Sequence, residues 1–345
     1  MKITKLLSAV FAATLLFTTS CREDDPMDEP QPKGAYENGI FLANEGNFGT
    51  PTATVSFISN DLSIENNIYS NNNAGSALGD VLQNIGVNGD NAYLILNNSN
   101  KIEIVNRYTF KKVATVSDQV SQPRYIAFAN NNYYVTNSSG SSKFVNVYSS
   151  TTNAFVKKIP LTSGGERIVE ASGKIFVQNA SFGSGKKISI INPTSNTVES
   201  EVIVPNGTIQ KTISNGGSVY TIASTSTDSY IYKLTPTGAI SSTITLSGIA
   251  NANNLEVDGS KFFFSSGAKV YSMDMSSTVV PTTPILTLSD NSWSALYGFN
   301  VIDGKIYISN ANGFTADSTV EIYSTGGALL KTVTAGRGTN GFYKN

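Results

Sequence analysis

From residue 38 onward, short apolar runs alternate with clusters of Gly, Asn, Asp and Ser, and no stretch keeps a helical period. The pattern predicts many strands and tight turns, with no helix. Within it one aromatic keeps returning. Tyr93, Tyr134, Phe176, Tyr220, Phe263 and Tyr307 each sit in an apolar run just after a Gly- or Asn-rich turn. Subtraction gives steps of 41, 42, 44, 43 and 44 residues. Phe41, in GIFLAN, is a seventh copy 52 residues before Tyr93, the extra length falling in NNNAGSA (71–77). A repeat of this length holding only strand-like segments matches a four-stranded propeller blade.

Turn chemistry agrees. The aromatic strand follows Asn88-Gly89-Asp90, Asn130-Asn131-Asn132, Ser172-Gly173-Lys174, Asn215-Gly216-Gly217, Asp258-Gly259-Ser260 or Asp303-Gly304-Lys305. Such residues accept the positive φ that tight hairpins require. A third strand follows each aromatic one, as in KIEIVN (101–106) and VEIYS (320–324). Outer strands such as FKKVATV (110–116), AFVKKIPL (154–161) and LLKTVTA (329–335) carry Lys, as solvated edges do. The Phe41 copy has no inner strand of its own, and TNGFYKN (339–345) is an orphan strand of the right kind. The expected fold is all-β: a seven-bladed β-propeller of four-stranded blades, closed by the C-terminal strand so that no sheet edge stays open. The recurring aromatics are read first as core, packing blade on blade.

The N-terminus reads as an export signal over 1–20. Lys2 and Lys5 precede the apolar run LLSAVFAATLLF (6–17), and Thr18, Thr19 and Ser20 lead to Cys21. The run is short for a membrane span. Cys21, the only cysteine, stands where a lipoprotein signal peptidase would leave a lipidated residue, although Thr18 replaces the usual Leu. Lipidation at Cys21 is expected, against an ordinary cleaved signal with a coincidental cysteine. Residues 21–37 form an acidic, Pro-rich tether, REDDPMDEPQPKG (22–34), ahead of a domain spanning 38–345.

Charge and absent residues narrow the chemistry. Net charge is −1, and losing 1–20 would leave 22 basic against 25 acidic residues without a basic stripe, so nucleic acid is a poor partner. With no histidine there is no Ser-His-Asp triad, no haem axial His and no His zinc site. One cysteine rules out an internal disulfide and thiolate metal sites. No cofactor and no metal are expected, with calcium left open. Asp and Glu pairs could serve a glycosidase or calcium-dependent lactonase. Glu45, Asp80 and Glu166 are the carboxylates to inspect, yet nothing in their spacing demands catalysis.

Propeller ligands bind where loops converge at the channel mouth. Loops leaving the aromatic strands and loops entering the inner strands should share that face. Asn44, Asn97, Asn137, Asn179 and Asn310 recur at the ends of aromatic strands. They read either as a ring of amides for a neutral ligand with a polar rim or as turn chemistry repeated with the blades. Residues that break the repeat are sharper candidates. Trp293, the only tryptophan, shares a loop with Tyr297, while Phe48, Phe182 and Phe314 occupy the longer exit loops, Phe48 beside Asn47. Arg124, Arg167 and Arg337 enter the same face and suit carboxylate, phosphate or amide oxygens. The alternative is loop packing, or rim ion pairs with Glu45, Asp80 or Glu166.

At FLANEGNFGT (41–50), ALGDVLQNIGVNGDNAYLILNNSNKIEIVN (77–106) and the terminal GFYKN, the chain resembles the YncE-like seven-bladed propeller lipoproteins of Bacteroidetes. The acidic tract after Cys21 is similar to the one that sends such lipoproteins to the outer cell surface. The resemblance implies an outer-membrane, lipid-anchored protein facing the exterior. One branch captures cobalamin above a TonB-dependent transporter, and the NEGN segment is similar to it. That implies a small-molecule ligand, with a corrinoid as cargo, and a transporter partner. The alternatives are a structural or adhesive propeller that binds protein or glycan, and a carboxylate-dependent hydrolase.

Overall fold

Strands here are short because every blade must reverse direction three times, and the turn residues allow it. In the hairpin after residue 302, Asp303 and Gly304 both take positive φ, 49° and 73°. The computed structural model describes residues 32–139, 142–180 and 184–345. Cys21, the export signal and Phe182 lie outside the described residues. The chain divides into an N-terminal unit ending at Ala35, whose residues 32–35 form no strand or helix, and a second unit, Tyr36–Asn345.

The second unit is a seven-bladed β-propeller of four-stranded antiparallel sheets. Blade 1 comprises Gly39–Asn44, Thr54–Ser59 and Ile64–Glu65, with Thr339–Lys344 as its inner strand. Phe41 sits opposite Phe57 on one side and Tyr343 on the other, so the C-terminal strand closes the ring. Blades 2 to 7 span 82–116, 123–160, 168–203, 208–246, 253–287 and 298–334.

Each recurring aromatic is buried between two blades. Phe41 packs with Leu82 and Ile85, Tyr93 with Ile126, Tyr134 with Ile168, and Phe176 with Ile209. Tyr220 packs with Leu255, Phe263 with Phe299, and Tyr307 with Phe342. Every such cluster joins neighbouring blades, because one four-stranded sheet has two apolar faces and cannot cover either alone. Burying a large side chain of this kind stabilises by roughly 1.5–3 kcal/mol.

One expectation is corrected. Ile68–Asn72 forms a short helix where a loop was expected, with Ile68 and Tyr69 buried. Five residues are too few to show a period, and packing rather than propensity holds them. The Tyr69 hydroxyl donates to Glu103 Oε1 of blade 2 at 3.1 Å.

Antiparallel pairing places the start of each inner strand beside the end of the aromatic strand, as Leu82 faces Leu96 and Gly298 faces Ser309. Both sets of predicted loops therefore emerge on one face.

Candidate ligand-binding face

The loop asparagines hold the scaffold together on that face. Asn44 is fully buried; its amide donates to Ser56 Oγ at 2.9 Å and its oxygen accepts from Thr339 Oγ1 at 2.6 Å. Asn97 donates to Pro123 O, tying blade 2 to the inner strand of blade 3. Asn137 donates to Val135 O at 2.7 Å and accepts from Ser121 N at 3.1 Å. Asn179 donates to Ser163 O and accepts from Ser189 Oγ, while Asn310 donates to Asp290 and accepts from Ser294 Oγ. All five amides are engaged with the chain itself, and Asn44, Asn137 and Asn179 are buried.

The residues that break the repeat gather at blades 7 and 1. Trp293 stacks on Phe314, with ring centroids 6.1 Å apart and planes at 10°. Tyr297 meets Phe314 edge-on at 5.1 Å. Trp293 is 71% exposed and Phe48 81%. The shelf is held from below. Phe314 takes a positive φ of 61° and lies where a Cβ on Gly338 would strike its ring at 2.4 Å, so only glycine fits at 338. Arg337 donates to Asn47 Oδ1 at 2.9 Å. Asp80 accepts from Gly49 N and Asn98, which pins the 44–53 loop to blade 2. Beside the shelf a cleft of about 270 Å³ opens between blades 6 and 7, lined by Trp293 with Asn251, Asn253, Asn254 and Asn291.

Tyr297 connects this shelf to a polar network around the axis. Its hydroxyl donates to Glu45 Oε1 at 2.8 Å, and Asn340 donates to the same oxygen at 2.9 Å. Burial raises the Glu45 carboxyl above its ordinary 4.5, outweighing those two hydrogen bonds and the Arg124 charge. Burial, with the Glu45 charge beside it, pushes the Tyr297 phenol far up as well. In blades 3 and 4, Arg124 grips Glu166 bidentately at 2.6 and 3.2 Å and also donates to Gln83. Arg167 lies over the Tyr125 ring, 4.8 Å from its centroid. Deeper on the axis, Lys211 pairs with Glu256 at 2.5 Å, and Asn300 donates to the same carboxylate at 2.7 Å. Burial lowers Lys211 to about 8, even though Glu256 opposes the shift.

A larger cleft, about 650 Å³, crosses blades 2 to 4 on the same face, lined by Arg124, Lys143, Lys186 and Lys187 together with Asn97 and Asn179. Among the described residues no three acidic side chains gather to hold a metal ion.

The structure therefore brings Glu45, Asn47, Trp293, Tyr297, Phe314 and Arg337 together, pairs Arg124 with Glu166, and stacks Arg167 on Tyr125. Sequence reasoning missed Gln83, Tyr125, Lys211, Glu256, Asn300, Asn340 and Tyr343. A signal was available. Lys211 and Glu256 are 45 residues apart, Arg124 and Glu166 42, Gln83 and Tyr125 42, and Glu256 and Asn300 44. Each separation is one blade, so polar residues at matching places in successive inner strands become neighbours on the axis.

Comparison with known families matches residues 38–340 to a domain of unknown function, DUF5074. The chain belongs to the DUF5074 family. No curated protein matches it. Among solved structures it is similar to a quinonprotein alcohol dehydrogenase-like protein of Bacteroides thetaiotaomicron, with TM-score 0.65 and 14% identity over 90% of this chain and 77% of that one. A functionally unknown protein of Desulfotomaculum acetoxidans gives TM-score 0.64 and 14% identity over 89% and 98%. BamB of Moraxella catarrhalis gives 0.52 and 12% over 76% and 92%. At these identities the likeness concerns the fold alone.

Proposed function

We propose that this DUF5074 propeller is an outer-surface lipoprotein of the YncE-like kind, anchored through Cys21, that captures a small molecule and passes it to a TonB-dependent outer-membrane transporter. The observation that carries the reading is the exposed Trp293–Phe314 stack beside an asparagine-lined cleft. An indole offers a large rigid face, and side-chain amides match a ligand rimmed by amides of its own. A corrinoid, a flat macrocycle with peripheral amides, has that chemistry and is the proposed cargo. The export signal and acidic tether support the address.

Binding is favoured over hydrolysis because Glu166 is held by Arg124, Glu45 by Tyr297 and Asn340, and one Asp80 oxygen by Gly49 and Asn98. The openness of the shelf favours a second reading, in which a glycan or a protein docks there without uptake.

Calorimetric titration of the chain from residue 22 onward with cyanocobalamin tests the proposal. The expected result is stoichiometric binding that weakens about tenfold or more in Trp293→Ala, equivalent to ~1.4 kcal/mol. Absence of both heat and co-elution would remove the corrinoid. Retention on an immobilised polysaccharide, lost in the same variant, would then support the glycan reading.

A further inference from the structure

The axial network leaves one charged group unmet. Arg124 is held by Glu166, Lys211 by Glu256, and Glu45 by two neutral donors. The Arg167 guanidinium makes no side-chain hydrogen bond or ion pair among the described residues; it lies over the face of Tyr125, and the Glu256 and Glu166 charges favour its charged form. Stacking fixes the plane of the group and leaves its edge, with its N–H donors, unused.

The surroundings add donors rather than acceptors. The phenols of Tyr125 and Tyr343 lie beside Arg167, together with the Glu256 and Glu166 carboxylates. Tyr125 accepts from Gln83 at 3.4 Å and Tyr343 accepts from Asn84 at 3.2 Å, so each hydroxyl oxygen is used while its proton is not donated within the described residues. Of the two nearby carboxylates, Glu166 is held on both oxygens by Arg124, and Glu256 takes Lys211 and Asn300 on Oε1. Arg167, Tyr125 and Tyr343 are each only partly buried.

We propose that the axial channel is a second ligand site, in which Arg167 receives the carboxylate or phosphate group of a small molecule and the Tyr125 and Tyr343 hydroxyls donate to its remaining lone pairs. A planar guanidinium fork suits two parallel hydrogen bonds to either oxyanion. The site is centred on Arg167 rather than on Trp293 and does not depend on the identity of any ligand at the shelf.

The test follows the Nε–Hε resonances of the arginines by NMR while acetate, and separately inorganic phosphate, is added to the chain from residue 22 onward at low ionic strength. That chain carries Arg22, Arg107, Arg124, Arg167 and Arg337. One resonance, absent from Arg167→Lys, should move saturably, and the lysine variant should bind the same probe at least about tenfold more weakly. Response to acetate alone would assign a carboxylate, and response to phosphate alone a phosphoryl group. Arg167→Lys keeps the charge, and its near-UV circular dichroism reports whether it folds. Tyr343→Phe, which removes one donor and little volume, should weaken binding several-fold, and Trp293→Ala should leave it unchanged. A stationary Arg167 resonance with both probes, or equal affinity in Arg167→Lys and Tyr343→Phe, would overturn the proposal.

Discussion

Two kinds of residue share the loop face. Asn44, Asn97, Asn137, Asn179 and Asn310 recur with the blades and bond their amides to neighbouring loops and strands. Trp293, Phe314 and Tyr297 occur in one sector only, and Trp293 turns outward. A feature required by every blade must solve a problem that every blade has, such as joining an inner strand to the strand beside it. A ligand is not seven-fold symmetric, so its recognition has to come from departures. In this propeller repetition marks the scaffold and its interruption marks the surface available for binding.

Substitutions can break that contrast, and the largest effect belongs to the ladder. Phe176→Ala empties a fully buried site between blades 4 and 5 and should cost about 3–5 kcal/mol in urea unfolding. A loss below about 1 kcal/mol would contradict its role as an inter-blade core residue. Asn137→Ala leaves Ser121 N and Val135 O without their partner and should cost about 1–3 kcal/mol. A change in ligand affinity without a change in stability would instead return that asparagine to the ligand.

Glu45 sits between the two classes, and its effect is read through pH. Its carboxyl is raised above 4.5 in the folded chain, so the folded state binds that proton more tightly than the unfolded state. Its favourable contribution is full below 4.5 and is lost as pH rises through the raised value. Glu45→Gln should therefore flatten the decline in the urea midpoint above that pH, and an unchanged slope would exclude Glu45 as its source. The smallest effect on stability belongs to the shelf: Trp293→Ala should stay within about 0.5 kcal/mol of the parent chain. A larger loss would make the indole a packing residue.

The order of residues by itself determined the architecture. A recurring aromatic, turns that accept positive φ and an orphan C-terminal strand leave few solutions other than a closed ring, because each blade must cover its neighbour. The short helix at Ile68–Asn72 escaped that reading because its single turn has no period to detect. Trp293, Tyr297 and Phe314 stood out as interruptions of the repeat, yet sequence could not place Phe314 against the other two, since it comes from the loop after Lys305–Asn310 while Trp293 and Tyr297 share the loop entering blade 7. The shelf required their tertiary arrangement over Gly338. The axial network was decided by ring closure. Closure converts residues one blade apart, such as Arg124 and Glu166 or Lys211 and Glu256, into hydrogen-bonded pairs. It leaves Arg167 stacked on Tyr125 with no side-chain hydrogen bond among the described residues. Periodicity along a chain is a local property and survives in one dimension, whereas convergence on an axis exists only once all seven blades are in place.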